Sequence, residues 1–310
     1  MTSQTLDETA KGVFVISATP FTDDGSLDLE STDRLIDFYL ERSVHGITVL
    51  GMMGEAPKLT HEESILFLGR VLARVKNRVP VVAGVSNPGI GNLAKLAHQA
   101  MDLGAAGVMV APAAGLKTED QIFAYFSQVF TLLGPKIPVC FQDYPQNTTV
   151  FSSVATLNRL VDNFPQLVML KHEDFPGLRK VTQLRQQAER DGRRRISILV
   201  GNGGLYFPQE LRRGVDGAMT GFAFPEMLVE TFNRATAGDF DGAENVFDTY
   251  LPLVRHEYQP GIGLAIRKEI LRRRGAIACA ATRAPGARLD RDDHAELDIL
   301  LHRLDARLRA

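Results

Sequence analysis

The chain of 310 residues contains only two cysteines, Cys140 and Cys279, too few for a disulfide framework or a zinc-type cysteine spacing. That usage suits a reducing, cytoplasmic setting. Its seven histidines show no H-E-x-x-H pairing, and no metal site is expected. Long apolar runs are missing as well. None reaches the ~18 residues of a membrane-spanning helix, and the opening MTSQTLDETAKG lacks the apolar segment of an export signal. Neither sign of charge is in excess. A formal net charge of -2 gives no broad basic surface to attract nucleic acid or an anionic membrane. The clusters Arg193-Arg194-Arg195 and Arg272-Arg273-Arg274 are short and stand near expected helix ends, where cations complement the backbone dipole. Finally, no G-x-G-x-x-G follows the first apolar run, and no dinucleotide or other organic cofactor is implied.

What is present is a repeating unit. Eight short runs rich in Val, Ile, Leu and Ala lie at 12–20, 46–51, 79–86, 106–112, 137–143, 167–173, 196–202 and 216–222. Each is continuously apolar rather than alternating, the mark of parallel strands covered on both faces. Between them apolar residues recur at helical spacing, as at Leu35, Ile36, Tyr39 and Leu40. Start signals agree: Asp28, Thr60 with Glu63 as a capping box, and Ser152 or Ser153. Eight consecutive strand–helix units predict an α/β fold, a closed (β/α)8 TIM barrel, in preference to an open doubly wound sheet. After residue 224 only helical patterns remain, at 226–237, 239–254, 260–274 and 290–308, with an extended loop at 280–288. The expected organisation is a barrel over residues 1–237, including a short polar N-terminal tail, and a C-terminal helical extension over 238–310.

Barrel chemistry gathers at the C-terminal ends of the strands. Those ends carry Thr19 after strand one, Gly51 to Glu55 (GMMGE) after strand two, and Gln142, Asp143 and Tyr144 after strand five. Strand six ends on Lys171 to Asp174, strand seven on Gly201 to Gly204, and strand eight on Met219 and Thr220. Lys171 closes the apolar run Leu167 to Leu170. Exclusion from water disfavours its ammonium form, and a neutral amine can add to a ketone to form a Schiff base. The plainer alternative is a lysine that pairs with Glu173 or Asp174 at the strand end. In GMMGE the flanking glycines permit a sharp turn whose amides converge on a space suited to a carboxylate. Lysine and turn together describe a 2-oxo acid site, a ketone beside a carboxylate. On a continuing strand Glu173 shares the face of Lys171, and His172 points away. Glu55 either touches substrate or orders the following helix start. The glycines of 201–204 are expected to let the backbone close over a small substrate, and Cys140 to pack in the core.

The segments ATPFTDDGSLD, GMMGEAPKLTHEE, RVPVVAGV and DLGAAGVMVAP, followed by Lys171, occur in an order and spacing by which residues 11–275 resemble the dihydrodipicolinate synthase and N-acetylneuraminate lyase superfamily. The resemblance implies class I Schiff-base chemistry on a (β/α)8 barrel and a homotetramer. It makes Lys171 the imine-forming residue and the Met52-Met53 turn the holder of the substrate carboxylate. Members that make or break carbon–carbon bonds carry a tyrosine at the end of strand five, where Gln142 stands. They carry hydroxyl residues where Met52 and Met53 stand, and the synthases an aromatic pair at Ala113-Ala114 and an arginine near Asn147. Breaking the C3–C4 bond of a 4-hydroxy-2-oxo acid requires a group that takes the C4 hydroxyl proton, which Gln142 cannot do. Dehydration is not impaired by that loss.

VCFQDYPQNT and YLPLVRHEYQPGIGLAIRKEILRRRGAI resemble the 2-keto-3-deoxy-L-arabonate dehydratase branch, which forms 2-oxoglutarate semialdehyde from a five-carbon sugar acid, although GMMGE differs from the turn of that branch. The expectation is a Schiff-base hydro-lyase on a 2-keto-3-deoxy sugar acid. An aldolase or synthase joining pyruvate to an aldehyde, and a non-catalytic 2-oxo acid binding protein, are the alternatives. The expected catalytic set is Lys171, Gln142 and Tyr144, the last reaching into the absent phenol's place. Expected substrate contacts are Gly51, Met52, Met53, Gly54, Glu55, Thr19, Glu173, Gly201, Met219 and Thr220.

Overall fold

The structure, a computed structural model, describes residues 5–309. Residues 1–4 of the expected polar tail, and Ala310, lie outside the described residues. Eight parallel strands close in chain order: β1 Gly12–Ile16, β2 Gly46–Val49, β3 Val81–Gly84, β4 Gly107–Val110, β5 Val139–Asp143, β6 Leu167–His172, β7 Ser197–Val200 and β8 Gly217–Thr220. Pairing of Gly12 with Gly217 shuts the ring, which rules out the open sheet. The helices are α1 Leu29–Glu41, α2 His61–Val75, α3 Ile90–Asp102, α4 Glu119–Leu133, one-turn α5 Pro145–Thr148, α6 Val154–Asn163, α7 Gly177–Arg190, α8 Phe207–Arg212 and α9 Pro225–Thr236. Beyond the barrel run α10 Phe240–Glu257, α11 Gly263–Arg273 and α12 Arg291–Arg309.

Sequence signals act where expected at the helix starts. Asp28 accepts from the Ser31 amide at 2.8 Å, Ser153 from Thr156 at 3.1 Å, and Thr60 and Glu63 cap each other. The arginine clusters form ion pairs: Arg193 with Asp162, Arg194 with Glu8, Arg195 with Asp216, Arg272 and Arg273 with Glu269, and Arg274 with Glu226. Gly263 opens α11 where a Cβ would strike the Glu257 carbonyl, which accounts for glycine at a helix start. Among the described residues no helix is long and apolar enough to cross a membrane.

Strand alternation sorts the apolar residues into two cores. The outward faces pack under the helices; Phe14, Ile16, Val82, Met109, Cys140, Met169, Leu199 and Met219 fill the barrel interior. The N-terminal segment departs from the expected polar tail. Leu6 belongs to the interior cluster, and its amide donates to Ala106 O at 2.8 Å. A bulge at the β5–β6 pair decides which way the site residues face. Val139 pairs with Leu167 but Cys140 with Met169, so Val168 is an extra residue on β6. Above it the register is Gln142 opposite Lys171 and Asp143 opposite His172, which turns Gln142 and Lys171 inward together.

Candidate active site

Lys171, at the inner end of β6, is only 5 % exposed. Its Nζ lies 3.1 Å from Glu173 Oε2, and Gln142 Nε2 donates to the same oxygen at 2.8 Å. Strand and register thus bring an amine, an amide and a carboxylate to one point. The other carboxylate oxygen of Glu173 faces the next loop, where the Asn202 amide donates to Oε1 at 3.4 Å and Asn202 Nδ2 to the Glu173 carbonyl at 3.1 Å. Gly201 has no room for a side chain: a Cβ there would collide with the Glu173 carboxyl. Cys140 lies on the same inner face of β5 as Gln142, and burial pushes its thiol up to about 12, which keeps it neutral.

Across the mouth the chain after β2 turns sharply. Leu50 takes a left-handed conformation (φ 57°), and Gly84 leaves space for the Leu50 carbonyl. The amides of Gly54, Glu55 and Ala56 donate back within the turn. Among the described residues nothing accepts from those of Met52 and Met53, which leaves two adjacent donors for a carboxylate. Met53 packs on the barrel interior, whereas Met52 lines a cavity of about 760 Å³ beside the mouth, together with Ala113, Ala114 and Asn147. Small side chains at 113 and 114 contribute to that room.

Four expected contacts are corrected. The Thr19 hydroxyl, fully buried, is committed to the Gly54 carbonyl at 2.6 Å and therefore holds the turn. Glu55 points away from the mouth: Lys268 Nζ at 2.6 Å, Lys58 Nζ at 2.9 Å and the Arg283 amide at 2.9 Å take up its carboxylate. Met219 is sealed in the barrel interior, and Thr220 lies buried beneath Gly204. His172 faces the helix layer, with Nε2 3.1 Å from the Gly177 carbonyl and Nδ1 3.5 Å from Asp143 Oδ2. Lys180 closes that outer network onto Asp143 at 2.6 Å and Asp174 at 3.0 Å.

Two site residues escaped the sequence reading. Asn202 does so as a loop amide, and Tyr258, which follows α10, donates its hydroxyl to Asn202 Oδ1 at 3.0 Å. Burial raises the Tyr258 phenol above its ordinary value, with Tyr144, Glu173 and Tyr206 adding to the effect. Tyr144 is raised in turn by burial and then by Glu173, so both phenols hold their protons. Among the described residues no cluster of three or more His, Cys, Asp or Glu is arranged to hold a metal ion.

A buried lysine paired with a carboxylate stands opposite a turn with free amides, and the Dihydrodipicolinate synthetase family matches residues 9–304. The chain belongs to that family. It is 31% identical over 306 residues to the L-2-keto-3-deoxyarabonate dehydratase of Azospirillum brasilense, covering 95% of this chain and 94% of that protein. It is 29% identical over 248 residues to the 4-hydroxy-tetrahydrodipicolinate synthase of Methanocaldococcus jannaschii, covering 79% and 82%. Among solved structures, the dihydrodipicolinate synthase of Rhodopseudomonas palustris superimposes with a TM-score of 0.95 at 46% identity, over 97% of this chain and 100% of that one. Family membership makes the chain a lyase on a TIM barrel. At the end of β5 stands Gln142, an amide that grips Glu173.

Proposed function

We propose that the chain is a Schiff-base hydro-lyase that dehydrates a 2-keto-3-deoxy sugar acid, such as 2-keto-3-deoxyarabonate. The observation that carries this reading is the shared Glu173 Oε2, 2.8 Å from Gln142 Nε2 and 3.1 Å from Lys171 Nζ. A carboxylate so placed can move protons at the carbon next to an imine, whereas an amide in the tyrosine's place cannot deprotonate a C4 hydroxyl.

The Met52 and Met53 amides hold the substrate carboxylate, and Lys171 adds to C2 with loss of water to give the iminium. Glu173 removes a C3 proton, and the electron pair passes into the C2 nitrogen system as an enamine. The enamine expels the C4 hydroxyl, which leaves as water on taking the proton from Glu173. Water then hydrolyses the conjugated iminium, freeing Lys171. Hydrolysis leaves a C3–C4 double bond beside the C5 alcohol; loss of a C5 proton and gain of one at C3 move it to a C4–C5 enol, which becomes the C5 aldehyde on taking a proton at C4. One water is lost overall and nothing is oxidised or reduced.

The test is twofold. Borohydride with a panel of 2-oxo acids is expected to add one ligand mass to the chain and none to Lys171→Ala. 2-Keto-3-deoxyarabonate is expected to yield the semialdehyde, while pyruvate with an aldehyde forms no new carbon–carbon bond. An adduct that survives in Lys171→Ala overturns the nucleophile; aldol product overturns the dehydratase. The second reading, a carbon–carbon lyase or synthase, is favoured by the half-buried Tyr144 phenol near Glu173. A homotetramer is proposed on family resemblance, with exposed Leu66, Leu103 and Leu132, on or beside α2, α3 and α4, available to a neighbour. A monomer mass in light scattering refutes it. A cytoplasmic location suits the two free cysteines, and cell fractionation tests it.

A further inference from the structure

We propose that Tyr258, delivered by the C-terminal extension, is a specificity-determining residue that reads the hydroxylated tail of the substrate. The proposal rests on the assignment of Lys171 as the imine-forming residue and of the Met52–Met53 turn as the carboxylate holder. With C2 on β6 and the carboxylate directed toward the end of β2, the bonds at a trigonal C2 diverge. C3 therefore leaves at a wide angle to both, onto a flank of the line from β6 to β2, and the flank after β7 carries Asn202 and Tyr258 beside Glu173.

Tyr258 is fixed there by its neighbours in sequence and space. Glu257, buried, accepts from the Ala223 amide at 3.0 Å and pairs with buried Arg267, whose Nη2 donates to Gly221 O at 2.6 Å. These bonds tie the end of α10 to the chain leaving β8, where Gly221 leaves room for the guanidinium. The ring packs over Gly203 (φ 67°): a Cβ at that position would stand 3.2 Å from Tyr258 Cδ2 and press the ring outward. GNGG thus has two separate fits, Gly201 to Glu173 and Gly203 to Tyr258. It does not simply let the backbone close over substrate.

The phenol donates its proton to Asn202 Oδ1, and its oxygen keeps lone pairs that accept from a substrate hydroxyl. Asn202 holds Glu173 by two further bonds, so a hydroxyl bound at Tyr258 lies beside the proton-transfer carboxylate. A site built to pair a hydroxyl discriminates against an analogue without one, because that analogue forgoes the bond to the phenol oxygen. The ligand class is a 2-oxo acid with hydroxyls at C4 and C5, in contrast to pyruvate or 2-oxobutyrate.

The experiment measures, by intact mass after borohydride, the concentration giving half-maximal adduct for 2-keto-3-deoxyarabonate and for pyruvate, in the full chain and in Tyr258→Phe. The expected result is that the variant raises the sugar-acid value by about tenfold or more and leaves the pyruvate value as it was. Because pyruvate has no tail, an unchanged pyruvate value also reports that the variant is folded with its nucleophile intact. Two results overturn the proposal: equal sugar-acid values in both proteins, or a parallel rise for both ligands, which makes Tyr258 a support for the loop alone. A parent chain that forms no adduct with any 2-oxo acid overturns the Schiff-base assignment itself, and this proposal with it.

Discussion

Glu173 is constrained from four sides: by Gln142, by Lys171, by Asn202, and by the missing side chain at Gly201. Such fixation keeps one carboxylate oxygen at the amine and suits a proton carrier, since it removes the search for the reactive geometry. Glu173→Gln preserves shape and most hydrogen bonds but cannot accept a proton. Pyruvate trapping at Lys171 is expected to persist while kcat for dehydration falls by about 100-fold or more. A variant with parental kcat would remove Glu173 from the mechanism. Lys171, Gln142 and Glu173 were legible by residue type and by their place at the strand ends, while the shared inward direction of Lys171 and Gln142 depends on the bulge at Val168. Thr19 and Glu55 were misplaced for a physical reason: type and position say that a polar group is near the mouth, not that its atoms are already engaged by Gly54 or Lys268. Asn202 and Tyr258 meet across 56 residues, and no local period encodes that contact.

Among the elements, the strands and most helix starts follow from apolar runs and capping residues, which are local signals. The bulge at Val168 does not, because it arises from the fit of β6 to β5. Short α8 shows the same limit. Its Glu210 carries no local signal of burial yet is buried, and burial alone pushes its carboxyl up to about 8 from an ordinary 4.5. The folded chain therefore binds this proton more tightly than the unfolded chain. The stabilisation it brings is complete below pH 4.5 and is lost as pH rises through 8. Every tenfold difference in proton affinity between the folded and unfolded chains corresponds to about 1.4 kcal/mol, so the loss amounts to a few kcal/mol. Glu210→Gln cannot ionise. Thermal melts are expected to show similar Tm values for the two proteins at acid pH, and a variant several degrees more stable at alkaline pH. Parallel curves across the range would show that this carboxyl does not titrate on unfolding.

For the molecule as a whole, the C-terminal helices form part of the active-site architecture. Lys268 of α11, fully buried, joins Glu55 of the turn after β2 to the Ala281 carbonyl at 2.8 Å and lies 4.5 Å from the Phe21 ring centre. Arg283 pairs with Glu63 and donates to the Gly25 carbonyl, so the segment after α11 is clasped to the loop following β1 and to the first turn of α2. Burial lowers the Lys268 ammonium group from its ordinary value, and Glu55 opposes that drift, as expected of a pair whose charge depends on its partner. Lys268→Met removes one charge and leaves Glu55 with Lys58 and the Arg283 amide. Breaking a buried pair from one side costs about 3 kcal/mol or more, and Tm is expected to fall by several degrees. Because Glu55 holds the turn that presents the Met52 and Met53 amides, half-maximal pyruvate trapping should also require more ligand. The sugar-acid to pyruvate ratio, set at Tyr258 on the other side of the mouth, should stay constant. A variant that melts with the parent chain, or that changes this ratio, would show that extension and turn are not coupled through Lys268.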